Sequence, residues 1–235
     1  MEKPEQTLCA RVEALISLYP PSSRRRIIIS LVGGPGSGKS TISAALAKTF
    51  NSRNTEQLTV VPMDGFHYSK TQLSTLQLSE CGFRRRGAPF TFDSPSFVQL
   101  VHSLRDNPVT EVDTPAYGIY APSFDHAVKD PVENDIFISS SQRIIVLEGS
   151  YLLLDEEPWN QISQMVDESW FIDVAREVAK TRLIKRHIQA GIENNWDDAL
   201  WRVESNDLLN LDLVIGNKGF PNVIINNSGF TMAAR

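Results

Sequence analysis

The chain has 235 residues, 41% hydrophobic and 22% charged, a balance that suits a soluble globular protein able to bury one sizeable core. Lys and Arg number 23 against 28 Asp and Glu, a formal net charge of −5, so no basic excess points to nucleic acid as a partner. No stretch approaches the roughly 18 apolar residues of a membrane span, so no membrane partner is expected either.

Along the chain, residues 1–18 read as a helix, because Leu8, Val12, Leu15 and Ile16 fall on one face. Glu2, Glu5 and Glu13 break any continuous apolar stretch there, so the segment is not read as a signal peptide or an organelle-targeting helix. Cys9 and Cys81 show neither a CxxC pair nor metal-ligand spacing, and free thiols in a reducing compartment are expected. The expected location is the cytosol, with access to the nucleus left open. Tyr19-Pro20-Pro21 stops the helix, and residues 1–24 form an N-terminal helix and linker.

Ile27 through Val32 are almost wholly apolar, the pattern of a strand buried on both faces. A glycine-rich turn follows, then a helix over 39–50 and a second strand over 58–63 that ends at Asp64. Residues 65–140 change character. Gly, Pro, Ser and aromatics alternate without strong periodicity, and the segment reads as a substrate-binding insertion of loops and short helices, the clearest helix lying at 97–104. Strands return at 143–147, ending at Glu148, and at 167–172. A basic helix over 176–190, a further helix over 196–206 and short strands over 211–215 and 222–225 complete the pattern. Strands alternating with helices imply an α/β fold with a mainly parallel sheet between two helical layers. The whole of 1–235 is read as one domain, with residues 180–196 as a lid.

The turn after the first strand reads Gly33-Gly34-Pro35-Gly36-Ser37-Gly38-Lys39-Ser40-Thr41 and satisfies GxxxxGK[ST] at every fixed position. Glycines let consecutive backbone N–H groups turn inward onto phosphate oxygens, and the following helix adds its N-terminal dipole. Lys39 is expected to reach the β- and γ-phosphates and the Ser40 hydroxyl to ligate Mg²⁺. Absences narrow the class. The string nearest to a guanine-specific NKxD, Asn217-Lys218-Gly219-Phe220, has Phe where the Asp should be. No LSGGQ-like signature occurs, and Glu148 is followed by Gly149 rather than by a second acid. ATP with Mg²⁺ is therefore the expected nucleotide pair.

Two acidic residues stand where a parallel sheet exposes its ligands, beyond the carboxyl ends of strands. Asp64, in VVPMDGFHY, is the candidate to hold an acceptor hydroxyl or take its proton. Glu148, in IIVLEGSYLLL, is the candidate to organise Mg²⁺. His67, Arg85, Arg86, Phe124 and Asp125 are candidate acceptor contacts, the last two in a loop. Arg182 and Arg186, four apart on the basic helix, share a face from which a lid could neutralise the transferring group.

The segments GGPGSGKST, VPMDGFHY, RRRGAPFTFD, APSFDHAVKDPV, IVLEGSYLLLDEEPW and TRLIKRHIQAG together resemble the phosphoribulokinase/uridine kinase family, over about residues 25–217. The resemblance implies a P-loop kinase acting on a small hydroxyl-bearing metabolite such as a nucleoside, pantothenate, glycerate or a sugar. It also implies that Asp64 is the catalytic base or hydroxyl anchor. One segment departs from the uridine kinase pattern, with Phe124 for Tyr and no following Arg, which argues against uridine. A nucleotide-binding regulatory protein that has lost the acceptor reaction is the alternative. The oligomeric state is left undetermined.

Overall fold

A computed structural model describes residues 4–54, 57–75 and 79–227, with the side chains of 79–81 outside that description. Glu2 and the Cys81 thiol therefore lie outside the described residues. Helix α1 (Pro4–Leu18) leads into strand β1 (Ile27–Val32), the phosphate-loop turn and helix α2 (Lys39–Asn51). Strand β2 (Leu58–Pro62) is followed by a 3₁₀ turn, Met63–Phe66, and by helices α3 (Lys70–Thr75), α4 (Ser79–Arg84) and α5 (Ser94–Asp106). A hairpin of β3 (Ile119–Asp125) and β4 (Asp130–Ile138) precedes β5 (Ile144–Gly149), α6 (Ile162–Met165) and β6 (Glu168–Asp173). The chain closes with α7 (Arg176–Gln189), α8 (Trp196–Arg202), a π-helical turn at Val203–Asp207, α9 (Leu208–Asn217) and β7 (Val223–Asn226).

The main sheet runs in the order β2-β5-β1-β6-β7, with every pairing parallel. Strand β1 explains the layering, because its alternate residues serve opposite cores. Ile27, Ile29 and Leu31 face the layer of α1 and α2, which adds Leu8, Val12, Leu46 and Phe50. Ile28 and Val32 face the other layer, where α5, α6 and α9 contribute Phe97, Leu104, Ile162 and Val214. A strand covered on both faces is apolar almost throughout: all six residues of β1 are buried, and the one polar side chain, Ser30, donates its hydroxyl to Ser169 Oγ at 2.9 Å. Cys9 lies in the α1 layer, where burial pushes its thiol pKa up.

Two expectations are corrected. Residues 211–215 are not a strand but the middle of α9, with Leu211 and Val214 facing inward at helical spacing. Phe124 and Asp125 are not in a loop but end β3, within an antiparallel hairpin that the 65–140 segment was not expected to contain. Both hairpin strands keep one side toward solvent and carry Pro122, Pro131, Glu133 and Asp135, so no apolar run marks them. A register shift between Ala121 and Ser123 further breaks the period of two.

The topology positions the site. In an open parallel sheet, ligand-binding loops gather beyond the carboxyl ends of the strands. Strand β5 lies between β1 and β2, so Glu148 at its end sits between the phosphate loop after β1 and the Asp64 turn after β2.

Candidate active site

The phosphate loop is tied down from several sides. Ser37 N–H donates to Gly34 O at 3.1 Å, Gly33 N–H to Gly149 O at 3.4 Å and Asn227 Nδ2 to Ser37 O at 2.7 Å. Gly36 adopts φ +76°, and a Cβ there would lie 2.8 Å from the Ala179 carbonyl of α7, so both conformation and space demand glycine. Gly38, at φ +87°, is the N-cap of α2, which opens at Lys39, and the first amides of a helix have no partner within it. Among the described residues the buried Ser37 hydroxyl has no hydrogen-bond partner, a polar group placed in the cradle at some cost.

Lys39 Nζ lies 3.8 Å from Glu148 Oε1, and the Ser40 hydroxyl donates to the same oxygen at 3.3 Å. Burial raises the Glu148 pKa, Lys39 and Ser40 oppose that rise, and the Asp64 charge adds to it. Pro62, two residues before Asp64, pairs with Glu148 across the adjacent strands β2 and β5. Hard oxygen donors beside a phosphate cradle are what Mg²⁺ accepts through one or two protein ligands. The Ser40 and Glu148 oxygens fit that ion, and the loop fits a polyphosphate.

Asp64 sits in the 3₁₀ turn that follows β2. His67 Nδ1–H donates to the Asp64 carbonyl at 2.8 Å, leaving Nε2 as the acceptor of the neutral ring. Burial holds the His67 pKa below the ordinary histidine range, with Asp64 opposing and Arg86 reinforcing the shift. The ring packs on Phe92 at 3.9 Å and Phe124 at 5.0 Å. Gly65 lets the turn lie against β3, since a Cβ would fall 2.1 Å from the Pro122 carbonyl oxygen. A cleft of about 340 Å³ opens on this side, walled by Gly65–His67, α5 and the hairpin.

The remaining candidates divide. Arg86 pairs with Asp130 at 3.0 Å, donates to the Tyr68 and Lys129 carbonyls at 3.0 and 2.6 Å, and lies over Phe124 at 5.5 Å. It fastens the hairpin to the segment after Asp64. The Asp125 carboxylate is engaged by its own turn, accepting Ala127 N–H at 2.7 Å and Val128 N–H at 3.1 Å, which lowers its pKa. Arg85 turns to the π-helical turn and α9, where it donates to the amide oxygens of Asn206 and Asn210. Arg182 donates to Gly36 O at 3.3 Å and Asn227 O at 2.9 Å, so it is already at the phosphate loop. Arg186, one turn on, is exposed. Thr41 is exposed in the first turn of α2.

Several residues at this edge were not singled out from sequence. Asn227 joins the loop to Arg182 from beyond β7, and its place just after the strand expected at 222–225 was the available signal. Tyr151 donates its hydroxyl to Gly87 O, and burial pushes its pKa well up while Arg85 lowers it and Asp64 and Asp207 raise it. Asn206 and Asn210 carried no sequence signal for their partner, more than a hundred residues away.

Residues 28–191 match the family described as phosphoribulokinase / uridine kinase. A Schizosaccharomyces pombe protein provisionally named a uridine kinase is 39% identical over 203 residues, 86% of this chain and 83% of that one. A crystal structure from Silicibacter sp. TM1040, provisionally described as a fructose transport system kinase, is 28% identical. It superposes with a TM-score of 0.79 over 96% of this chain and 100% of its own. The YFH7 structure from Saccharomyces cerevisiae, provisionally described as a P-loop-containing kinase with a circular permutation, superposes with a TM-score of 0.81. It covers 95% of this chain and 99% of its own at 24% identity, a likeness of fold.

Proposed function

The chain belongs to the phosphoribulokinase/uridine kinase family of P-loop kinases, and on that premise we propose that it transfers the γ-phosphoryl group of ATP to a hydroxyl of a small metabolite. The carrying observation is the group of side chains at the carboxyl edge of three adjacent strands. Lys39 and Ser40 meet Glu148 there, and Asp64 acts on Glu148 from the neighbouring turn. A protein that only binds nucleotide needs the first pair but has no use for a second carboxylate on the acceptor side.

Bound Mg²⁺ supplies charge neutralisation on the phosphates and fixes their orientation. The Ser40 and Glu148 oxygens would hold it, directly or through water. Lys39 compensates the β- and γ-phosphate charge. Asp64 holds the acceptor hydroxyl in line and accepts its proton as the new O–P bond forms and the bridging O–P bond to ADP breaks. Arg182, and Arg186 on the same helical face, neutralise the migrating group as α7 and the loop beyond it close like a lid.

Acceptor classes in keeping with the family are nucleosides, pantothenate, glycerate and sugars. Uridine has the least support, because Phe124 replaces the expected Tyr and no Arg follows it. Acceptor-stimulated ADP release, screened across these four classes, tests the proposal. At least one class should raise turnover well above the ATP-only rate. Tight ATP binding with no stimulation by any of them would point instead to a nucleotide-binding regulatory protein.

A further inference from the structure

Arg85 and Arg86 are neighbours held in opposite ways. Arg86 has a carboxylate partner in Asp130. Arg85 is half-buried and, among the described residues, has no ion-pair partner. Its Nε donates to Asn206 Oδ1 at 3.0 Å and its Nη2 to Asn210 Oδ1 at 3.1 Å. Neutral amides satisfy some of its hydrogen bonds without bringing a carboxylate within ion-pair distance, so the guanidinium keeps its attraction for an incoming anion. The Nη1 protons and one on Nη2 remain to be given.

Both ends of this arrangement are fixed. Asn206 and Asn210 are 4% and 2% exposed, polar side chains in positions that packing would otherwise fill with apolar ones. Asn206 also donates through Nδ2 to the Arg86 carbonyl at 3.1 Å, clamping the arginine loop from across the molecule. The helix carrying them widens to a π turn at Val203–Asp207, a form that is rare and gathers at functional sites. On the loop side, Ala88 N–H donates to Arg85 O at 2.8 Å and Gly87 N–H to Thr91 Oγ1 at 3.0 Å. A long side chain fixed in this way has lost its rotamer entropy before any ligand arrives.

The location is the acceptor half of the site. Leu211, next to Asn210, packs against Gly34 of the phosphate loop. Tyr151 donates its hydroxyl to the carbonyl of Gly87, two residues after Arg85, and its ring meets Phe92 edge-on at 5.7 Å, which in turn packs on His67 at 3.9 Å, three residues after Asp64. We infer that Arg85 is an anion-binding position, with Asn206 and Asn210 as its positioning residues, and that the acceptor carries a carboxylate or phosphate besides its reacting hydroxyl. This rests on the kinase reading above and narrows it to hydroxy acids and sugar phosphates over neutral nucleosides and free sugars. The same guanidinium chemistry would suit the transferring phosphoryl group, and the test separates the two sources.

Parent, Arg85→Gln and Asn210→Asp are assayed with three matched pairs: D-glycerate and glycerol, pantothenate and pantothenol, ribose 5-phosphate and ribose. The parent should prefer the anionic member of at least one pair. Arg85→Gln should raise the KM of that member about 10- to 100-fold and leave its neutral counterpart unchanged. Asn210→Asp should do the same while keeping shape and position, because its carboxylate neutralises Arg85. If Arg85→Gln does not fold, Asn210→Asp carries the comparison alone. Equal losses in kcat for both members, with KM unchanged, would assign Arg85 to the transferring group and overturn the inference. A parent indifferent to acceptor charge would overturn it too. Failure of the kinase reading is distinguishable, as no member of any pair would then stimulate ADP release. In that event, thermal stabilisation by an anionic member without ATP, lost in Arg85→Gln but kept in Lys39→Ala, would still uphold the site, and its absence would reject it.

Discussion

Glu148 shows how single residues at this edge trade stability for chemistry. It is 6% exposed, with Lys39 as a partner at the long distance of 3.8 Å, and burial outweighs that partner in raising its pKa. A carboxyl group whose folded pKa is raised binds more protons folded than unfolded over the window above the ordinary glutamate range. Its contribution to stability therefore falls as pH rises through that window. Glu148→Gln should remove this slope. In thermal unfolding of nucleotide-free protein, the variant should gain on the parent from mildly acidic to neutral pH, while its transfer activity falls. A stability difference that stays constant with pH would contradict the assignment of burial as the dominant cause. Glu148 was legible from sequence because an acid directly after IIVL has one place to go in a parallel sheet. Arg85 was legible only as a charge, since the amides that define it come from residues 206 and 210.

At the scale of elements, the buried strands and the phosphate loop were readable because burial on both faces leaves an unbroken apolar run. The hairpin was not, for its strands share one face with solvent and hold two prolines. Over five residues the pattern Leu-Asp-Leu-Val-Ile does not separate strand from helix, which is why 211–215 read as a strand and folded as α9. The hairpin matters because it presses on the Asp64 turn. Gly65→Ala sets a Cβ against the Pro122 carbonyl, backbone against backbone, and neither side can yield cheaply. A loss of about 1–3 kcal/mol is expected, read as a fall in Tm of roughly 2–12 °C. Unchanged Tm and unchanged acceptor KM would mean that the turn and hairpin separate freely. On α7 the two arginines stand differently, Arg182 already on the Gly36 and Asn227 carbonyls and Arg186 in solvent. Both Arg182→Ala and Arg186→Ala should lower kcat more than ATP affinity, since mobile cations matter most as charge moves. A normal kcat for Arg186→Ala would leave it on a solvated face.

For the whole molecule, five parallel strands bring to one edge residues that are far apart in sequence: the loop at 33–41, Asp64, Glu148, Arg182 and Asn227. Among the described residues no helix is long and apolar enough to cross a membrane. The order β2-β5-β1 sets Glu148 beside the phosphate loop and Asp64 one strand further, the side proposed for the acceptor, and the proposed division of labour depends on that order. Asp64→Asn tests it most directly, because Asn keeps the shape and a hydrogen bond but cannot take up a proton. With an acceptor that stimulates the parent, the variant should bind ATP·Mg²⁺ normally and lose about 10²–10⁴-fold in phosphoryl transfer. The loss should fall near the lower end if deprotonation is late and positioning dominates. Transfer at the parental rate would remove Asp64 from the mechanism, and loss of ATP·Mg²⁺ binding itself would make it a residue of the metal site, contradicting the acceptor role assigned to it.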